Sequence, residues 1–182
     1  ILSPILKTLH AAGITKEKIT ILIATGSHRP IRGEELVELV GEDIAQGYNI
    51  INHNWEDQSA HEMVFKSPFG IDVWIDKRYL EADLKIATGL IEPHFMAGFS
   101  GGRKSIVPGI AGFETIKKLH GAEFMGHKDS CEGKVDGNPF HEELLAIVKR
   151  VGVDLIVNVT LDEDNNITGI FSGDIELAHE AG

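Results

Sequence analysis

Residues 19–24 read Ile-Thr-Ile-Leu-Ile-Ala, a nearly unbroken β-branched and apolar run. A strand of that kind has no face to turn to water, so it must be covered on both sides. The neighbouring segments supply the cover. Residues 3–13 start with Ser3-Pro4, stop at Gly13 and place Ile5, Leu6 and Leu9 on one face, which predicts a helix. Residues 33–40 predict a second helix with Leu36, Val37 and Val40 inward, and residues 48–52 a second strand. Further strands are expected at 71–75 and 84–87, with helices at 113–120 and 138–150. Residues 53–70 and 126–137 read as polar loops, and Asp174 opens a last helix. Strands at 155–161 and 167–171, joined by an acidic turn at 162–166, form a β-hairpin. This alternation predicts an α/β fold, Rossmann-like, with a mostly parallel sheet flanked by helices and the hairpin at one edge.

Composition narrows the function classes. With 182 residues, 42% hydrophobic and 25% charged, the chain has the mix of a water-soluble globular domain. Seventeen basic against 28 acidic side chains give a net charge of −11, so no nucleic-acid footprint is expected. No apolar stretch is long enough for a membrane span. The single cysteine, Cys131, cannot form an internal disulfide, which fits a reducing compartment; the expected location is cytoplasmic. The chain opens at Ile1 and closes at Gly182 inside a helical pattern, so it reads as an excerpt of a longer protein.

One short echo marks a site. Ile23-Ala24-Thr25-Gly26 ends one strand and Ile86-Ala87-Thr88-Gly89 ends another. Each is followed by a histidine beside a proline, His28 and His94. In open α/β sheets ligands bind beyond the carboxyl ends of strands, so both histidines are expected at one crevice. Two imidazoles flanking a small substrate would make a two-base site, able to take a proton on one side and return it on the other. Surface loop histidines without chemistry are the competing reading.

The segment 92–111 carries the densest pattern. Ser100-Gly101-Gly102-Arg103-Lys104-Ser105 sets two cations and free amides in one tight loop, a cradle suited to a phosphate, although it is neither a P-loop nor GxGxxG. A lysine hemmed in by glycines and an arginine can also have a lowered pKa and act as a nucleophile. His120 closes the next helix. No His-x-His, HExxH or CxxC pattern gives it protein partners, so its metal role would be to complete an ion already held by an organic cofactor. His53 is expected to be structural, and His10, His61, His127, His141 and His179 solvated.

Taken in order, Ala24-Thr-Gly-Ser-His-Arg-Pro30, residues 52–57 (Asn-His-Asn-Trp-Glu-Asp), Glu92-Pro-His94, Gly98-Phe-Ser-Gly-Gly-Arg-Lys104 and Asn158 resemble the nickel-pincer lactate racemase family. The resemblance implies a racemase acting on a 2-hydroxy acid, lactate or a relative, through a 2-oxo acid. It implies a nickel-pincer nucleotide, a pyridinium-3,5-bisthiocarboxylate mononucleotide carrying nickel, tethered at Lys104. Within the loop, Ser100, Gly101, Gly102 and Arg103 would cradle the nucleotide, His120 would bind nickel, and His28 and His94 would be acid and base. Cofactor-assembly enzymes would be partners. Residues 1–182 would be most of the N-terminal, cofactor-binding domain of a two-domain protein, lacking a short leading segment and the C-terminal domain, and inactive when excised. The alternatives are a phosphate-recognising hydrolase or transferase, with Arg103 and Lys104 on the phosphate and His94 as base, and a non-catalytic ligand-binding domain.

Overall fold

The computed structural model describes residues 1–182. Nine strands run in chain order: β1 (Thr20–Ile23), β2 (Asn49–Asn52), β3 (His61–Lys66), β4 (Asp72–Asp76), β5 (Ile86–Leu90), β6 (Pro93–His94), β7 (Gly98–Phe99), β8 (Leu155–Leu161) and β9 (Ile167–Gly173). The helices are α1 (Leu2–Ala11), α2 (Glu34–Val40), α3 (Glu42–Gly47), α4 (Lys77–Leu80), α5 (Phe113–Leu119), α6 (Ala122–Met125), α7 (Pro139–Val151) and α8 (Leu177–Glu180). None is long and apolar enough to cross a membrane.

The α/β character and the edge hairpin are present: β8 and β9 pair antiparallel, and β8 pairs parallel with β5. The single, mostly parallel sheet is not. β1 and β2 form a separate parallel pair, β3 with β4 and β6 with β7 form antiparallel pairs, and no ladder joins these sheets. The reason lies in the segment 101–110, which occupies the space between the two parallel pairs. It reaches one through Gly26 N donating to Gly109 O (2.8 Å) and the other through Ser105 Oγ donating to Thr88 O (3.1 Å). The carboxyl ends of β1 and β5 are thus bridged by the glycine-rich segment itself.

Two apolar cores follow this division. The larger, of 21 buried residues, joins β4, α5 and α7 to Met96, Ala97 and Ile106. The smaller packs Leu6, Ile19, Val40 and Ile44 between the first helices and β1–β2. Helix α7 shows how the local code works. The Asn138 side chain accepts from Phe140 N and His141 N, Pro139 sits at the first turn, and Phe140, Leu144, Ile147 and Val148 are buried on one face. Two expectations shift. Helix α1 begins at Leu2, so Ser3 lies inside it and does not cap it. The stretch expected as loop over 53–70 contains β3, whose polar His-Glu-Met-Val-Phe-Lys sequence hid a strand that turns His61 and Phe65 inward.

Candidate active site

The segment after β5 is held by side chains that sequence had assigned to a ligand. Ser100 Oγ donates to Leu90 O (2.6 Å) and accepts from Glu92 N (3.0 Å). Arg103 is 1% exposed. Its Nη2 donates to Ala97 O (2.8 Å) and Phe99 O (3.0 Å), and its Nη1 lies 2.8 Å from Nε2 of buried His179. Burial lowers the guanidinium to about 10 and the imidazoles of His179 and neighbouring His141 to about 4. Arg103 therefore faces the interior and clamps the loop. His61, His141 and His179, expected in solvent, are buried. His141 stands three residues before Leu144 on the apolar face of α7, a periodicity that signalled its burial.

Gly101 and Gly102 are where the loop presses on the body. Both have positive φ (72° and 50°), and an added Cβ would lie 3.0 Å from Asn158 Nδ2 or 2.8 Å from His179 Cδ2. Asn158 is fully buried on β8, opposite Gly89 of β5, and neither of its amide atoms has a hydrogen-bond partner.

What the loop presents is Lys104. Its amine is half-buried and makes no hydrogen bond or ion pair. Burial, then the charge of Arg103, lowers its pKa to about 8, with Glu92 opposing. His94 stands within electrostatic reach of the amine, and His120 within reach of His94. His94 is half-buried and stacked on the exposed Phe95 ring (4.6 Å between centroids). Its Nδ1 accepts from Met96 N (3.3 Å) and Ala97 N (3.2 Å), so the neutral ring carries its proton on Nε2. Burial first, then the charges of Lys104, Arg103 and His120, lower it to about 4. His120 caps α5, and its Nδ1 donates to Ile116 O (2.8 Å). That bond fixes the tautomer and leaves a lone pair on Nε2, the second-shell arrangement usual for a metal-binding histidine.

His28 is exposed and borders a polar cavity of about 380 Å³, with Arg32, Asn52, His53 and Trp55 among the walls. The neighbouring Arg29 is engaged with Glu35 in two hydrogen bonds (2.6 and 3.0 Å), whereas Arg32 has no ion pair. A hydrogen bond from Gly26 N to Gly109 O joins the loop bearing His28 to the Lys104 segment.

Fold and site together define an α/β domain that offers a free amine and the imidazole of His94 on the segment that follows β5. Comparison with known proteins specifies which. Residues 1–133 match the family described as the lactate racemase N-terminal domain, and the chain belongs to that family. It is 42% identical over all 182 residues to a lactate racemase of Lactiplantibacillus plantarum, covering 43% of that protein. It is 38% identical over 164 residues to a lactate racemase of Thermoanaerobacterium thermosaccharolyticum, covering 38% of it. The apoprotein structure of a lactate racemase from the latter organism superposes with a TM-score of 0.88 over 91% of this chain, at 38% identity. A Thermotoga maritima protein shares the fold at 23% identity (TM-score 0.78, 97% of this chain). The chain spans about two-fifths of the length of the racemases it matches.

Proposed function

We propose that residues 1–182 are most of the cofactor-binding domain of a two-domain enzyme that racemises a 2-hydroxy acid, lactate or a close relative. The observation that carries this reading is the unpaired Lys104 amine, poised near pKa 8 within electrostatic reach of His94, in a chain of the lactate racemase family.

The residues fit the nickel-pincer nucleotide. Lys104 has the free amine a covalent tether needs, and His120 Nε2 is an uncommitted nitrogen for nickel. Asn158, buried and unpartnered behind Gly101, has donor and acceptor capacity that the protein leaves unused. When bound, that group supplies the acceptor for the substrate C2 hydride. Ser100 and Arg103 support it indirectly, by fixing the loop. With Nη2 committed to Ala97 O and Phe99 O and the side chain buried, Arg103 cannot serve the phosphate site of a hydrolase or transferase.

The chain's own residues handle protons and orientation. His94 holds a proton on Nε2 and, in this conformation, donates a hydrogen bond to a substrate oxygen. To accept a proton at Nε2, the ring must first release the Met96 and Ala97 amides, because its lone pair now faces them. Closure by the second domain is the natural occasion for that turn. His28 is the opposite acid–base group, and Arg32 in the same cavity is an uncommitted cation for a carboxylate. Cofactor-assembly enzymes in the cytoplasm complete the set of partners. The test is single replacement of His28 and His94 in the loaded, full-length protein. Each should lower turnover by about 10²–10⁴-fold with cofactor content unchanged; a change below about threefold in both would contradict the two-histidine reading.

A further inference from the structure

A second set of donor atoms lies buried away from Lys104 and His120. His53 follows β2, His61 opens β3 and Asp76 ends β4, where it is the register partner of His61. The three are 2%, 3% and 0% exposed. One candidate ligand atom from each lies within 4.8 Å of the other two.

Hydrogen bonding fixes where the lone pairs are. His53 Nε2 lies 2.9 Å from Ala111 O, and His61 Nδ1 lies 2.8 Å from Asp57 O. A carbonyl can only accept, so those nitrogens carry the protons. The remaining lone pairs are on His53 Nδ1 and His61 Nε2. His61 Nε2 has no partner at all. His53 Nδ1 faces Asp76 Oδ2 at 3.3 Å, acceptor against acceptor. Asp76 Oδ2 is also paired with Arg78 Nη2, so its charge is partly met. A metal cation among the three would take the lone pairs of both His53 Nδ1 and His61 Nε2. An extra proton on His53 would satisfy Asp76 yet leave His61 Nε2 orphaned.

We propose that His53, His61 and Asp76 bind a divalent transition metal of zinc-like size. For tetrahedral coordination with bonds of about 2.0–2.1 Å, neighbouring ligand atoms stand about 3.3–3.4 Å apart. The separation of His53 Nδ1 and Asp76 Oδ2 already has that value. Two nitrogens and one oxygen suit zinc, cobalt or nickel rather than calcium or magnesium. Both histidines are held by carbonyls, and Asp76 Oδ1 accepts from Arg78 N (3.0 Å) and Nε (2.8 Å). Arg78 Nη2 also pairs with Asp76 Oδ2, the oxygen offered to the metal, so the guanidinium competes with the ion there. His53 borders the cavity beside His28, and His61 borders one of about 260 Å³ walled by Trp55 and Trp74, while the ligand atoms themselves are buried. The metal would brace the base of the His28 loop, since His53 N donates to Ile23 O (3.0 Å) and His53 O accepts from Thr25 Oγ1 (3.0 Å).

The test uses full-length protein made without cofactor and carrying His120→Ala, so that the nickel ligand does not contribute. Dialysis against Zn²⁺ should leave about one ion per chain, and zinc at about 100 times its Kd should raise Tm by about 5–10 °C. His61→Gln should weaken binding at least about tenfold. Arg78→Gln should strengthen it, by removing a cation that competes for Asp76. Anomalous scattering at the zinc edge should place a peak among the three side chains, and this decides the matter if His61→Gln fails to fold. No bound zinc, or a peak elsewhere, overturns the proposal and leaves the cluster as a buried His53–Asp76 pair.

Discussion

Replacing Gly98 with alanine should cost far more than its single methyl suggests. Gly98 has φ +76°, so a side chain there incurs about 1–2 kcal/mol of left-handed backbone strain. The added Cβ would also lie 2.2 Å from Lys134 O, a backbone atom with no rotamer to change. One segment must move. Gly98 O accepts from Gly133 N (3.0 Å) and Lys134 O accepts from Asn138 Nδ2 (3.0 Å), so separation breaks two hydrogen bonds worth about 1 kcal/mol each. The sum is about 3–4 kcal/mol, or a fall in Tm of about 6–16 °C at this chain length. Gly133→Ala is the control. Its φ is +73°, but nothing lies within 4 Å of the added Cβ, so only the strain of about 1–2 kcal/mol remains. Urea unfolding of both variants separates the terms. Equal losses would refute the reasoning, because the Lys134 contact would then contribute nothing. Gly98 also pairs with His94 across β6–β7, so the first variant alone should shift the His94 resonances in NMR spectra.

His94 should titrate near pH 4 by NMR, with the Nε2-protonated tautomer visible in its ¹⁵N shifts. The unfolded chain takes up this proton near 6.5, so wild type should lose stability relative to His94→Gln as pH falls from 6.5 to 4; parallel curves would contradict this. At pH 7.5 Lys104 should hold about two orders of magnitude more free amine than an ordinary lysine, and competitive acetylation read by mass spectrometry should find it the fastest lysine to react. Asn158→Leu should raise the stability of the cofactor-free protein by about 1 kcal/mol, by replacing an unsatisfied buried amide, while weakening cofactor retention.

Much of this was legible in the sequence. Periodicity and punctuation located β1, α2, β2, α5, α7 and the β8–β9 hairpin. The tight glycine loop at 100–105 was legible too, although its glycines press on Asn158 and His179 of the protein itself. The sheet arrangement was not legible, because which strands share a ladder depends on where segment 101–110 lies, and nothing local in β1 or β5 encodes that. Arg103 misled for a related reason. Arginine beside lysine in a glycine loop reads as an anion site, and only the fold shows that His179, far along the chain, meets its guanidinium. His61 was hidden because β3 mixes polar and apolar residues. The His53–His61–Asp76 cluster joins three elements with no characteristic spacing, so no linear motif could reveal it.

The central claim is that Lys104 and His120 together hold the nickel-pincer nucleotide. It is tested most directly by the intact denatured mass and nickel content of the full-length protein, produced together with the cofactor-assembly enzymes. The account predicts a mass excess that maps to Lys104 and about one nickel per chain, with the nickel lost on His120→Ala and the adduct lost on Lys104→Ala. An unmodified Lys104 with no nickel, with the assembly enzymes shown to be active, would contradict it.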